Sequence, residues 1–192
     1  MQQFRFTCGP YTISMADSLP PKYYSSCQRA QLVDAFELEG AFSSLCYLEV
    51  TRGHGWPFLI VAQRYSPGAS SGFYPGVLLI PETDLLLLGA GERLLAYDLA
   101  GPQRLWERHL PGGFWHWERS QDRIILSSEN ELAVWDIHGQ KLWDFPLEPP
   151  WQYAVERDTI HVYMGDRQTA LHCEQGIVIE STAIQSEAEH AF

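Results

Sequence analysis

Apolar residues along this chain are grouped in short runs, and clusters of turn-favouring residues separate the runs. The run at 85–88 meets Gly89-Ala90-Gly91, and the run at 124–126 meets Ser127-Ser128 before a second β-rich run begins. Two short β-rich runs joined by Gly, Ser, Asn or Asp are typical of a β-hairpin. The pattern therefore predicts a mostly β protein built from hairpins.

The hairpin pattern repeats along the C-terminal two-thirds of the chain. Segments 86–99 and 124–137 align without gaps at a spacing of 38 residues, and a weaker copy at 161–173 follows after 37 more. Aromatic or imidazole rings recur at one place in the three copies, at Tyr97, Trp135 and His172. Each unit has room for three or four short strands, which is the size and content of one β-propeller blade.

Two strings carry the clearest part of the repeat, LLAYDLAGPQRLW at 94–106 and LAVWDIHGQKLW at 132–143. They resemble the repeat of the quinoprotein (PQQ-type) propellers and their non-enzymatic relatives. The resemblance covers about residues 73–180 and implies a stack of antiparallel sheets. It also implies that Trp106 and Trp143 pack between neighbouring blades.

The repeat count limits the architecture. About three units are recognisable, whereas propellers usually have four or more blades. Residues 1–72 do not align with the repeat, so they are either worn blades or a separate cap. We therefore expect an incomplete or small β-propeller-like stack of antiparallel sheets at 73–182, an irregular β-rich portion at 1–72, and a loose tail at 183–192.

The first third of the chain predicts less regular structure. Residues 18–27 are predicted to be loop because Pro20-Pro21 cannot lie inside a regular element. The stretch 28–38 fits either a short helix or a buried strand, and 66–72 is a flexible loop that marks the boundary. Strand-like runs are expected at 4–7, 11–14, 42–50 and 57–63.

Composition and charge narrow the function. Hydrophobic residues make up 45% of the 192 positions, with seven Trp, which is enough to bury a core. The formal charge of −11 disfavours nucleic acid and favours a basic protein partner. The start has no basic region followed by an apolar one, no apolar run reaches the ~18 residues of a membrane span, and the four Cys are scattered. We expect a cytoplasmic, bacterial protein with reduced thiols.

The sequence predicts no enzyme, cofactor or metal site. Gly89-Ala90-Gly91 lacks the third glycine and the helix of a dinucleotide-binding motif. The chain is too short for the eight-bladed wheel of the quinoprotein enzymes. Asp98 and Asp136 precede turns, where carboxylates bond backbone N–H groups. His161 and His172 are placed to meet across one hairpin, but ligand spacings such as HxH and CxxC are missing.

Two aromatic strings at equivalent places, 113–117 and 148–153, are the strongest candidates for binding. They fit either rigid interface anchors or core between blades. The predicted partner-binding residues are Trp56, Trp115, Trp117, Glu118, Glu148, Trp151 and Tyr153. We expect a non-catalytic protein-binding module, in its most concrete version an immunity protein that neutralises a toxin. The alternative is a small-molecule or sugar binder, or an enzyme with its site in a central cavity.

Overall fold

The computed structural model describes residues 3–36, 44–66, 74–110 and 112–183, and within these ranges the chain is mostly β, as predicted. The described residues form four sheets and one short helix. They contain no helix long and apolar enough to cross a membrane. The chain divides into two compact units, residues 1–117 and 118–192.

The first sheet has five strands in the order β1-β2-β4-β5-β3. Its strands are β1 (Gln3–Cys8), β2 (Tyr11–Ala16), β3 (Leu32–Phe36), β4 (Ser44–Arg52) and β5 (Leu59–Tyr65). The predicted hairpin at the start of the chain is confirmed by the antiparallel pairing of β1 with β2. The ambiguous stretch 28–38 contains the strand β3, which pairs in parallel with β5. The described part of 1–72 is therefore one mixed sheet rather than two blades.

The prediction of loop throughout 18–27 is wrong at its end, where a short helix, α1 (Tyr23–Cys27), forms after the two prolines. Pro20 and Pro21 precede the helix, so neither interrupts its hydrogen bonds. The Tyr23 ring contacts the buried Tyr47 ring of β4 at a centroid distance of 6.0 Å. This packing against the sheet stabilises a turn of helix that local sequence does not indicate. The predicted boundary loop lies almost wholly in 67–73, outside the described residues, as does 184–192.

Three four-stranded sheets follow, each with its strands in chain order. The second sheet holds β6 (Gly76–Ile80), β7 (Leu85–Ala90), β8 (Arg93–Asp98) and β9 (Gln103–His109). The third holds β10 (Phe114–Ser120), β11 (Arg123–Ser128), β12 (Glu131–Asp136) and β13 (Lys141–Pro146). The fourth holds β14 (Trp151–Glu156), β15 (Thr159–Met164), β16 (Arg167–His172) and β17 (Val178–Ala183). The three predicted hairpins are the antiparallel pairs β7–β8, β11–β12 and β15–β16.

The strand positions correct the alignment of the third copy. Strands β8, β12 and β16 end at Asp98, Asp136 and His172, so the spacing is 38 and then 36 residues. The gap-free alignment at 37 therefore put His172 one position out. Leu171, not His172, takes the place of Tyr97 and Trp135.

The core of the first unit lies between the first two sheets. Side chains such as Ile13 and Leu48 meet Leu86 and Leu88 in one buried cluster. Each such aliphatic side chain contributes roughly 1.5–3 kcal/mol when fully buried. Two polar contacts fix the sheets to one another: the Tyr97 hydroxyl donates to Asp34 at 3.0 Å, and Gln63 Nε2 donates to the backbone carbonyl of Ala90 at 2.7 Å.

In the second unit, Trp143 packs between two sheets, as the resemblance implied. The ring lies so close to Gly176 that an added Cβ there would come within 2.6 Å of it. Its indole Nε1 donates to the backbone carbonyl of Cys173 at 2.7 Å. Gly176 also has φ +65°, which favours glycine. The tryptophan and the glycine together determine how closely the third and fourth sheets approach.

Candidate functional site

The predicted aromatic residues of the fourth sheet belong to the packing inside the second unit. Trp151 is buried, and its indole Nε1 donates to the backbone carbonyl of Glu129 at 3.0 Å. Its ring lies 6.1 Å from the ring of Tyr153. Because Glu129 lies in the turn between β11 and β12, Trp151 joins the third and fourth sheets. This is the core alternative given above for the aromatic strings.

Tyr153 and Glu118 form a hydrogen bond with each other. The Tyr153 hydroxyl donates to Glu118 Oε2 at 2.6 Å. Burial raises the pKa of Tyr153, and the hydrogen bond to the carboxylate raises this pKa further. Glu118 is therefore engaged as a hydrogen-bond acceptor inside the second unit, and its role in partner binding stays a prediction.

Trp115 and Trp117 are both half-buried on β10. Phe114, at the start of the same strand, is buried, and its ring lies 5.6 Å from that of Trp117. A Cβ added at Gly89 would come within 2.3 Å of the Phe114 ring, so β7 leaves room for this ring by having no side chain there. The β10 aromatics thus combine core packing with partial exposure.

Trp56 and Glu148 are the two predicted residues that are plainly exposed. Trp56 lies in the loop between β4 and β5, with 44% of its surface exposed. The guanidinium carbon of Arg29 lies 4.0 Å from the centroid of its ring, a cation–π contact. Glu148 lies in the loop before β14 and is exposed.

An unpredicted feature recurs in all three repeated sheets, a β-bulge in the outermost strand. In the second sheet Ala96 pairs with Trp106 and Tyr97 pairs with Arg104, so Leu105 between them has no partner across the ladder. The same shift in the two following sheets leaves out Leu142 and Ile179. A bulge is where a strand re-aims a side chain, and bulges are common at sheet edges.

All three bulged residues are aliphatic and exposed. The exposed fraction is 43% for Leu105, 41% for Leu142 and 57% for Ile179. Every residue of β17 is exposed as well, including Val178, and the preceding residue Ile177 adds to the apolar surface. We call Leu105, Leu142 and Ile179 the bulge residues.

A sequence signal for the bulge residues existed. Leu105-Trp106 and Leu142-Trp143 occupy the same place in the two clear copies of the repeat. The third copy has Ile179-Glu180 at the equivalent place. Because Glu180 replaces the tryptophan, the sequence repeat is not recognisable at this point. The tryptophans are the most visible residues of the repeat. The exposed leucine before each tryptophan is the better candidate for contact with a partner.

The histidines do not meet across the last hairpin. His161 pairs with Ala170, and His172 pairs with Thr159. His161 Nδ1 lies 3.1 Å from the side-chain nitrogen of Gln168. Among the described residues no three His, Cys, Asp or Glu side chains are grouped so as to hold a metal ion.

Neither a family model nor a curated protein matches this sequence. Among solved structures, the computationally designed Ika8 protein is similar over 93% of this chain and 60% of its own, with 10% identity and a TM-score of 0.49. BamB from Moraxella catarrhalis is similar over 77% of this chain with 16% identity and a TM-score of 0.44. The chain spans 48% of the length of BamB.

These likenesses concern the fold alone. The class of the protein follows from its own repeats: three successive four-stranded antiparallel sheets of about 37 residues each are blade-like units. The chain is thus a β-propeller-like protein whose first sheet departs from the blade pattern. Nothing in the described residues narrows the class to the quinoprotein type.

Proposed function

We propose that this chain is a non-catalytic protein-binding module that docks a partner on the outer edges of its repeated sheets. The observation that carries the proposal is the exposed aliphatic bulge residue at the same register position in three sheets. Single exposed apolar residues are common on protein surfaces. Here an exposed aliphatic residue occurs at the same position of three repeats. This regularity fits a contact surface better than a random distribution of exposed apolar residues.

The edge strand β17 supports the same proposal. It is the last strand of its sheet, and one side of its backbone has no neighbouring strand among the described residues. Its apolar surface includes Ile177, Val178 and Ile179. An open strand edge of this kind can pair with another polypeptide through its free backbone N–H and C=O groups. Proteins normally protect such edges from unwanted pairing.

Cys46 and Tyr97 are poor candidates for acid–base catalysis because burial raises the pKa of each. Burial raises the pKa of the Cys46 thiol to about 12, and burial also raises the pKa of Tyr97. An acid–base catalyst needs a pKa near the working pH. Both shifts lead away from neutrality.

In its more specific form, the proposal is that the chain is an immunity protein that neutralises a basic toxin domain. The formal charge of −11 supports this version, because a strongly acidic protein attracts a basic partner at long range. Exposed Glu148 adds negative charge in the loop before β14. The bulge residues would then supply the apolar contacts that slow dissociation.

Affinity capture with matched variants tests the proposal. Wild-type chain and the triple variant Leu105→Glu, Leu142→Glu, Ile179→Glu are used as bait in a lysate of the source cell. We expect a protein that the wild type retains and the triple variant loses. Tyr24→Glu, at an exposed tyrosine on α1, is the control and should retain it. Identical captures by wild type and triple variant would refute docking at these edges.

The toxin version has its own readout. The captured protein is expressed alone and together with the chain, and growth is measured. Neutralisation predicts arrest in the first case, rescue by the wild type, and weaker rescue by the triple variant. If the captured protein does not affect growth, the chain is a binding module of another kind.

A groove on the first sheet favours a small-molecule binder as the second candidate. It has a volume of about 720 Å³, and Phe4, Met15, Leu19 and Tyr65 are among its lining residues. A thermal-shift screen of metabolites tests this candidate. A ligand that raises the melting temperature of the wild type but not of Phe4→Asp, at an exposed residue of the groove, would support it.

A further inference from the structure

A second groove lies on the polar side of the first sheet and is lined by basic and aromatic side chains. Its volume is about 460 Å³. Arg5, Lys22, His54 and Trp56 line it, and all four are exposed. None of the bulge residues belongs to it.

Two rows of polar residues cross β1, β2 and β4 on this side of the first sheet, and Arg5, Glu49 and Thr51 of these rows line the groove. One row is Arg5, Ser14 and Glu49, and the other includes Thr12 and Thr51. Ser14, Thr12 and Thr51 are buried hydroxyl-bearing residues. Because these side chains lie opposite the apolar face that meets the second sheet, the first sheet has one core face and one polar face.

The walls come from two loops that hold proline and tryptophan. Pro20-Pro21 before α1 and Trp56-Pro57 between β4 and β5 both line the groove. Arg29 lies against the Trp56 ring at 4.0 Å, which holds the ring in place while leaving much of it accessible. Proline and tryptophan make rigid, apolar walls at little conformational cost.

The charge of this groove is opposite to that of the chain as a whole. Arg5, Lys22, Arg29 and His54 make no ion pair with any described residue. Outside this groove, several arginines form ion pairs with carboxylates, and Arg123 with Glu174 is an example.

The acidic side chain of the groove, Glu49, accepts a hydrogen bond from the Tyr47 hydroxyl at 2.8 Å. Its single negative charge is smaller than the positive charge of Arg5 and Lys22 together. Within the described ranges, the positive charge of this face that has no ion-pair partner therefore lies around this groove.

We propose that this groove binds a carboxylate-rich segment of a partner polypeptide. The carboxylates would contact Arg5, Lys22 and His54, while an apolar or proline side chain packs on Trp56. This goes beyond the proposed function, because the ligand has the opposite charge from a basic toxin and the site is on a different sheet from the bulge residues. It also gives Trp56 a specific role in binding.

Fluorescence anisotropy with a short labelled peptide of alternating Glu and Pro tests the proposal. We expect the wild type to bind this peptide, to bind the matching Gln–Pro peptide much more weakly, and to lose affinity as salt rises. The double variant Arg5→Glu, Lys22→Glu should lower the affinity by at least about tenfold. The control variant Lys141→Glu, Arg167→Glu, in β13 and β16 of the second unit, changes the net charge equally and should bind as the wild type does.

Trp56 is tested separately with two variants, because alanine removes both the exposed ring and its contact with Arg29. Trp56→Ala should lower the affinity for the Glu–Pro peptide by about tenfold, and Trp56→Phe should retain part of this affinity. Thermal melting of each variant shows whether its fold is intact. Equal binding of the Glu–Pro and Gln–Pro peptides would overturn the proposal, as would unchanged binding by the double variant. Binding of citrate without binding of the Glu–Pro peptide would also overturn it.

Discussion

At the scale of single residues, the equivalent turn in all three repeats is capped by a side chain. The side chain is an aspartate in two repeats and a histidine in the third. Asp98 Oδ1 accepts from the N–H of Ala100 at 2.8 Å, and Asp136 Oδ1 accepts from the N–H of His138 at 2.9 Å. At the equivalent place the Nδ1 of His172 accepts from the N–H of Glu174 at 3.3 Å. The prediction that the aspartates cap turns is confirmed, and His172 is their counterpart.

His172→Asp should therefore preserve the last turn, whereas His172→Ala should weaken it. A net hydrogen bond of this kind contributes about 1 kcal/mol, so we expect the alanine variant to lose about that much unfolding free energy. Urea unfolding followed by tryptophan fluorescence measures the difference. His138→Ala is the control, because only the backbone of His138 takes part in its turn. A larger loss for the aspartate variant than for the alanine variant would contradict this role.

The roles assigned to Trp151 lead to a second prediction at this scale. Because its ring is buried and its indole N–H is bonded to Glu129, Trp151→Ala should destabilise the protein by about 3–5 kcal/mol. Trp151→Phe keeps a ring but leaves the carbonyl unpaired, which should cost less, about 1–3 kcal/mol. The urea midpoint measures both. An alanine variant with an unchanged midpoint would show that Trp151 is an interface residue after all.

At the scale of the strands, the last sheet differs from the two before it on one face. The residue paired with Ala96 in the second sheet is Trp106, and its equivalent in the third sheet is Trp143. In the fourth sheet, Ala170 pairs with Glu180. His161 lies on the same face, across from Ala170. The fourth sheet thus carries polar side chains at the place where the two preceding sheets carry a tryptophan.

Glu180→Trp should restore the stacking residue on a face that carries polar side chains. We expect the variant to self-associate, because an exposed indole at a blade-packing position offers a surface to a second copy. Sedimentation velocity over a range of concentrations measures the association. Glu180→Gln removes the charge without adding the ring and should behave as the wild type does. If both variants sediment alike, the glutamate does not prevent association at this face.

The strands also show how far the sequence could predict this fold. Local signals were enough for the predicted hairpins, which are closed by turn residues such as Gly91 between β7 and β8 and Gly165 between β15 and β16. The parallel pairing of β3 with β5 and the helix α1 depend on distant contacts, which no local pattern records. The shortened spacing before β16 moved the third copy out of register.

The candidate site was predictable to a smaller extent. The aromatic strings were visible, but whether Trp151 points to solvent or to a neighbouring sheet is decided by tertiary packing. The exposure of Leu105 follows from the bulge beside it, and a bulge is a property of strand pairing rather than of one strand. Residue type thus located the repeat, and pairing determined which side chains remain accessible.

At the scale of the whole molecule, buried tyrosines make stability depend on alkaline pH. Burial raises the pKa of Tyr97 and of Tyr47, so the unfolded chain releases these phenol protons before the folded one does. The stabilisation is complete below the ordinary tyrosine pKa of about 10 and is lost as the pH rises above it.

We expect the unfolding free energy to fall above about pH 10, by at most about 1.4 kcal/mol per pH unit for each such tyrosine. Urea midpoints at successive alkaline pH values measure the decline. Tyr97→Phe removes one titrating group, so its decline should be shallower although its stability near neutral pH is lower. A wild-type midpoint that stays constant through this range would rule out these shifts.

The two compact units each contain a protected thiol, which allows their opening to be followed separately. Burial raises the pKa of Cys46 in the first unit and of Cys173 in the second. Only a thiolate reacts with disulfide reagents, so near pH 8 both thiols should react after opening and not before. Cys8 and Cys27, which are half-buried, should react first.

With Cys8 and Cys27 replaced by serine, the labelling rates of Cys46 and Cys173 report opening of the first and the second unit. The first sheet shares an extensive aliphatic core with the second sheet, whereas the fourth sheet ends in the fully exposed β17. Local opening is easiest where few apolar contacts hold an element. We therefore expect Cys173 to label faster than Cys46 in dilute urea, with mass spectrometry of the peptides as the measurement. Equal rates at every urea concentration would mean instead that the two units open in a single cooperative step.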